Sequence, residues 1–317
     1  MAIVVVGAVF VDIKGFPDDV YQPTGRNAGR VEIVHGGVGR NVAEDIANVE
    51  LRPRFVSLVD DTASGAEVLR KLEKHKVDTR YILEQSDGMG LWLAVFDNTG
   101  DLAGSISKRP KLDALCGLLD EKGDEIFADA QSIVLEIDMD KEIVKRILAY
   151  AKKYNLRVYA VVSNMVIASQ RRDFLQSIDC FVCNLPEAGI LFVADFTTME
   201  PDALAEELYR RITLANIPSM VVTLGSRGAV YACMDGTRGY YPPESVKVRD
   251  TTGAGDAFCA GVAIGLTYER GLRDAVRIGT HLAASVITVS ESTCPRFLPR
   301  ELGLDIENLY SQPPNTV

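Results

Sequence analysis

No apolar run in the 317 residues approaches the ~18 needed to span a bilayer; the longest near the start, Ile3–Val11, stops well short. The opening also lacks a basic lead-in and a small-residue cleavage site, so a cytoplasmic protein without membrane partners is expected. Basic charge is in deficit. With 34 Lys and Arg against 44 Asp and Glu the net charge is −10, which argues against a nucleic-acid partner but permits a single nucleoside or nucleotide ligand. Six cysteines in a chain this long make no disulfide scaffold. Cys180 and Cys183 have no second pair and no nearby histidine, and the apolar residues between them suggest structural thiols on a buried strand rather than zinc ligands. Two nucleotide signatures are missing as well. There is no Gly-x-x-x-x-Gly-Lys-Ser/Thr loop, and no Gly-x-Gly-x-x-Gly follows the first strand.

What is present is an α/β rhythm. Ile3–Val6, Phe55–Val59, Ile133–Leu135, Val158–Val162, Phe181–Val182 and Met220–Thr223 are short and nearly continuous in apolar character, as strands buried on both faces are. Segments of helical period lie between them, which predicts a Rossmann-like, doubly wound, mostly parallel sheet. Val42, Ile46 and Val49 form one stripe of a helix over 40–51; Ile143, Ile147 and Ala151 do the same over about 140–154. Ala257–Leu266 is apolar almost all round and reads as a buried helix. The chain 1–317 is expected to form a single domain interrupted at about 13–35 and 88–108. These two pieces hold no helix, and the second turns at Asp97-Asn-Thr-Gly100 like a hairpin. They are expected to pair into a small β lid, whose unpaired edges invite a homodimer. The stretch with Pro295, Pro299, Pro313 and Pro314 reads as a surface tail.

Ligands of an open parallel sheet bind outside the carboxyl ends of its strands. Those ends supply Asp12, Glu136, Asn184 and Thr223; each is equally the kind of residue that caps a strand or helix. Two glycine-rich segments sharpen the choice. His35-Gly-Gly-Val-Gly-Arg-Asn41 opens a helix, where glycines admit a ligand to the backbone and free N–H groups face it. Arg40 opposes the dipole of that helix, so it either holds a ligand or pairs with Glu44 one turn on. Asp250-Thr-Thr-Gly-Ala-Gly-Asp256 runs directly into the buried helix. Its small residues Gly253, Ala254 and Gly255 leave backbone amides facing outward as an anion hole. Asp256, a carboxylate in the first turn of an apolar helix, is placed to accept a hydroxyl proton beside that hole, as phosphoryl transfer asks.

These segments resemble the ribokinase-like (PfkB) family of carbohydrate and nucleoside kinases over essentially the whole chain. Asp250–Ala263 matches its C-terminal signature, and Gly36-Gly-x-x-x-Asn41 its N-terminal glycine motif. Asn184-x-x-Glu187 and Thr223-x-Gly-x-x-Gly228 follow in the family's order. The resemblance implies an ATP-dependent kinase acting on a primary hydroxyl of a small sugar or nucleoside. Asp12, Gly36, Gly37, Arg40, Asn41 and Glu136 would then meet the substrate, with Asp256 as base and Gly253–Gly255 as the γ-phosphate cradle. Thr223, Gly225, Gly228 and Asn184 would lie along the nucleotide. Asn184 and Glu187 would order Mg²⁺ mostly through water, and Asp250 and Thr252 would bind a monovalent cation, K⁺. Within the family, Gly36–Ala43 and Phe96–Asp101 resemble the pseudouridine kinase branch, which makes pseudouridine the expected acceptor. A ribokinase- or fructokinase-like sugar kinase and a non-catalytic binding module are the alternatives. Ser107-Lys-Arg-Pro110 departs from that branch in the lid, and Val158–Ser163 lacks the Asp-Pro often found there.

Overall fold

A computed structural model describes residues 2–304 of the protein. Its strands are β1 (Ala2–Val6), β2 (Phe10–Pro17), β3 (Gly29–Gly36), β4 (Arg54–Val59), β5 (Asp78–Glu84), β6 (Gly90–Phe96), β7 (Leu102–Lys108), β8 (Ala130–Glu136), β9 (Arg157–Val161), β10 (Cys180–Asn184), β11 (Ser219–Thr223), β12 (Ala229–Cys233) and β13 (Arg238–Tyr241). The helices are α1 (Val38–Asn48), α2 (Ala63–Lys74), α3 (Ala114–Phe127), α4 (Lys141–Lys153), α5 (Met165–Ser169), α6 (Arg172–Leu175), α7 (Leu185–Phe192), α8 (Pro201–Ala215), α9 (Ala254–Thr267) and α10 (Leu272–Val286).

Nine strands form one sheet in the order β13-β12-β11-β10-β9-β8-β1-β4-β5. It is parallel from β11 to β5, and only β12 and β13 run against their neighbours. The uninterrupted apolar character of the central strands has its reason here: each is covered twice. Val4, Val6, Leu58 and Leu135 face a core shared with α3, α4, α7 and α8. Ile3, Val5, Phe55 and Val134 face a second core shared with α1, α2, α9 and α10. Pattern reading passes over β5 and β13, the sheet's two edge strands, where double-sided burial no longer writes a continuous apolar run, and over β12, which is apolar and buried from Ala229 to Ala232.

The four remaining strands build a separate sheet, ordered β3-β2-β6-β7. The hairpin at Asp97–Gly100 joins β6 to β7, and β2 runs parallel to β6. Phe10, Asp12, Trp92 and Ser107 lie on one face, toward a large cavity. The other face leaves Val31, Ile33, Leu91, Leu93 and Ile106 exposed.

Three expectations need correction. Asp12 does not end the first strand: β1 stops at Val6, and Asp12 sits inside β2 of the small sheet. The helix read over 40–51 spans Val38–Asn48, because Gly37 rather than Arg40 stands at its N-terminus. The stretch around Pro295 and Pro299 is no free tail, since Cys294, Leu302 and Leu304 are buried and the Phe297 amide donates to the Asn48 carbonyl at 2.8 Å. Pro313 and Pro314 lie outside the described residues.

Candidate active site

The carboxyl ends of β1, β8, β10 and β11 open toward the N-terminus of α9, where Asp256 occupies the first turn. Gly253 precedes that helix with φ +82°, and a side chain there would run into the Ser292 carbonyl. Only glycine meets both demands, so the turn that ties the Ala254 amide to the Thr251 carbonyl at 3.3 Å and leaves the Gly255 amide at a cavity wall is specified by one residue. Gly37, with φ +99°, does the same at the start of α1, where a Cβ would strike the Ala8 carbonyl.

Asp256 is held by Asn41, whose Nδ2 donates to its Oδ2 at 2.6 Å. Burial pushes the Asp256 carboxyl up to about 6; the Asn41 hydrogen bond and the Arg40 charge pull downward, and Asp12 pushes further up. Asp12 is also raised by desolvation, against the pull of Lys14 and Arg40. Lys14, buried on β2, donates from Nζ to Thr252 Oγ1 at 3.4 Å and so ties the small sheet to the loop before α9. Glu136 is buried beside Asp138, and desolvation drives its carboxyl well up. Its Oε2 accepts the Ala8 amide at 2.8 Å, pinning the end of β8 to the chain that leaves β1.

A cavity of about 810 Å³ gathers Asp12, Gly37, Asn41, Glu136, Gly253 and Asp256 on its walls. Gly36 stands just behind, its Cα packed so closely on the Asp12 carboxylate that a Cβ would overlap it. Across the 252–256 loop lies a second cavity of about 540 Å³, walled by Thr223, Gly225, Gly228, Ala254 and Gly255. Asn184 and Glu187 form a reciprocal capping box at the start of α7, each side chain bonded to the other's amide. They share a small cleft of about 180 Å³ with Thr223, Gly255 and Asp256. Desolvation raises the Glu187 carboxyl as well. Asp250 and Thr252 lie in the approach to α9, the Thr252 amide donating to Asp250 Oδ1 at 2.9 Å. The Arg249 amide is bonded to the Ile287 carbonyl at 2.7 Å, which straps that loop to the end of α10.

Arg40 departs from the substrate-binding expectation. Its side chain is 1% exposed, bonds Glu44 at 2.7 Å and the His35 carbonyl, and reaches neither cavity. The helical pair allowed by the spacing is what forms. The Asp97–Asp101 turn is likewise remote: Asp97 Oδ1 accepts the Thr99 and Asp101 amides, and none of the five residues lines the large cavity.

Sequence reading singled out the lid run Ser107–Pro110, which brings Arg109 to the large cavity, but missed Phe10, Trp92, Asp138, Asn164 and Arg171, which converge with it. Alternation back from Asp12 on β2 points to Phe10, and Asp138 lies two residues past Glu136. No spacing connects Asn164 or Arg171 to the rest. In the second cavity, Val246, Val248, Ala283 and Ile287 were missed too.

A carboxylate that takes up a proton near pH 6, set beside the N-terminal amides of α9 and between two cavities, can accept a hydroxyl proton while those amides hold a transferring anion. Residues 2–296 match the pfkB family carbohydrate kinase profile. A guanosine-inosine kinase from Exiguobacterium acetylicum is 33% identical over 92% of this chain and 95% of its own. The pseudouridine kinase of Escherichia coli (strain K12) is 24% identical over 82% of each chain. The fold is that of the Arabidopsis thaliana ribokinase structure complexed with ribose and ATP, with TM-score 0.80 at 20% identity over 95% of this chain and 99% of that one.

Proposed function

The chain belongs to the pfkB family of carbohydrate kinases, phosphotransferases with an alcohol group as acceptor, and on that premise we propose that it transfers the γ-phosphate of ATP to the 5′-hydroxyl of a nucleoside, guanosine or inosine ahead of pseudouridine. The observation that carries this reading is the size of the large cavity, about 810 Å³, whose walls include Asp256, Asn41, Glu136, Asn164 and Arg171. Its volume falls within the roughly 300–1,000 Å³ that holds a drug-sized ligand, leaving space beyond a pentose for a base. The relative at 33% identity favours a purine nucleoside over pseudouridine, whose relative stands at 24%. The lid motif shared with the pseudouridine branch lies away from the cavity and does not speak for the base.

In this reading Asp256 takes the proton of the attacking hydroxyl, and the Gly253–Gly255 amides hold the phosphoryl group between the two cavities. Asn41 keeps the Asp256 carboxylate oriented; Asp12 and the Gly37 backbone meet the ribose. Thr223, Gly225 and Gly228 border ATP in the second cavity. Asn184 and Glu187 offer two oxygen ligands at the cleft beside Asp256, which fits Mg²⁺ holding most of its water. Bound there with the phosphates, Mg²⁺ would neutralise their charge. Asp250, with backbone carbonyls near the end of α10, suits K⁺, and replacement of K⁺ by choline is expected to slow turnover. Two copies pair through the exposed apolar face of the small sheet, the surface that otherwise leaves Ile33 and Ile106 in water; sedimentation gives the mass. The protein works in the cytoplasm.

The test is ADP release from Mg·ATP with guanosine, inosine, pseudouridine, uridine, ribose and fructose offered in parallel. Turnover highest on guanosine or inosine is expected. Preference for a free sugar would overturn the nucleoside reading while keeping the chemistry.

A further inference from the structure

Three cationic side chains line the far end of the large cavity: Arg109, Lys111 and Arg171. Two are committed elsewhere. Lys111 donates to Asp87 at 2.8 Å, and Arg109 bonds the Asp138 carbonyl at 2.8 Å with the Asp138 carboxylate 3.7 Å away. Arg171 differs. It stands just ahead of α6, part-buried, with Nη1 donating to the Met139 carbonyl. Among the described residues no carboxylate lies within ion-pair distance of it. One N–H of its guanidinium is thereby held on the main domain, and the side chain lines the cavity with no further hydrogen bond to the described residues beyond that carbonyl.

A guanidinium only donates, and its paired N–H groups match two acceptors set side by side on a flat ring. Guanine and hypoxanthine carry such a pair, O6 and N7; adenine replaces O6 with an amino donor. Uracil rings lack the N7 acceptor. Phe10, Trp92, Met139 and Ile167 on the same walls supply the apolar surface that a purine ring would cover.

We propose that Arg171 reads the O6/N7 edge of a 6-oxopurine nucleoside and so selects guanosine and inosine against adenosine. The proposal rests on the nucleoside reading above. It makes Arg171 a specificity residue at the opposite end of the cavity from the proposed chemistry.

The test compares kcat/KM for inosine, 7-deazainosine and adenosine in the wild type, Arg171→Met and Arg171→Gln. Each comparison is a ratio within one protein, so a general loss from poorer folding cancels. The wild type is expected to lose roughly 5- to 150-fold on removal of N7 or on exchange of inosine for adenosine, the range of one bidentate base contact. In Arg171→Met both ratios should fall to about threefold or less. Arg171→Gln, whose amide suits N6 and N7, should move the preference toward adenosine. Should Arg171→Met not fold, Arg171→Gln carries the test by that reversal. A 7-deaza penalty and an adenosine penalty that persist in both variants would overturn the proposal and leave the nucleoside reading intact. A wild type that phosphorylates free sugars but no nucleoside would overturn both.

Discussion

The two ends of the large cavity are built by different physics. At one end, Gly253 and Asp256 belong to a single turn whose Ala254 and Gly255 wall the second cavity, and its geometry comes from a left-handed backbone and a helix N-terminus. At the other, Phe10, Trp92, Arg109, Asp138 and Arg171 arrive from five separate segments, and their side chains build the wall. The first end can be altered by a single methyl group. The second is altered by exchanging side chains, at the loss of no more than the side-chain hydrogen bonds that Arg109, Arg171 and Asp138 make to neighbouring backbone. Common chemistry with divergent acceptors within one family follows from that separation.

The largest expected effect lies at the backbone-built end. Asp256→Asn should lower kcat by about 10²–10⁴-fold, the usual worth of a positioned general base, with little change in the KM for ATP. The same variant should be more stable than the wild type. A carboxyl raised by burial binds its proton more tightly folded than unfolded, so wild-type stability falls as pH rises from the ordinary carboxylate range toward 6. The gain in thermal midpoint of Asp256→Asn should therefore be larger at pH 8 than at pH 5. Near-wild-type turnover would reject Asp256 as base, and an equal midpoint at both pH values would reject its burial.

Next comes a paired glycine test. Gly253→Ala must leave φ +82° and collide with the Ser292 carbonyl, so a loss of at least about tenfold in kcat is expected, from strain of order 1–3 kcal/mol. Gly104→Ala, on β7 with open space at its Cβ, should leave kcat unchanged. Equal effects would mean that the loss comes from added bulk anywhere and not from the left-handed turn before α9.

Legibility in the sequence divides along the same line. The parallel sheet was readable because burial on both faces leaves strands such as Ile3–Val6 with no polar residue. The 250–256 loop was readable because helix-start geometry restricts which residues can follow one another. Asp12 was found, but on the wrong element, since the three residues of chain between β1 and β2 carry no signal of a change of sheet. Arg171 was invisible: its place is set by how α5 and α6 pack beyond β9, a property of contacts distant in the chain. Arg40 misled in the opposite sense, because an i,i+4 carboxylate and a ligand both explain a cation in a first turn, and only burial decides.

That decision is itself testable. Arg40 and Glu44 are each 1% exposed and form one buried pair, with Lys71 and Thr293 also on Glu44. Removing one partner of such a pair costs about 3–5 kcal/mol. Arg40→Met should therefore show a large drop in denaturation midpoint and a KM for the acceptor within about threefold of wild type under conditions where it is folded. Loss of acceptor affinity with unchanged stability would restore the ligand role.

The smallest expected effect concerns where the base titrates. With the Asp256 carboxyl near 6, kcat/KM should fall as pH drops through that value, because only the deprotonated form accepts the hydroxyl proton. Asn41 donates to that carboxylate and so favours its charged form. Asn41→Ala removes the donor and keeps the desolvation, and the acidic limb of the profile should move to higher pH. A change in ribose contact alone would alter KM and leave the limb in place. A limb that stays fixed in Asn41→Ala would therefore assign Asn41 to the substrate rather than to the base, and one that moves down would mean that water entering the space left by Asn41 relieves the desolvation of the carboxylate.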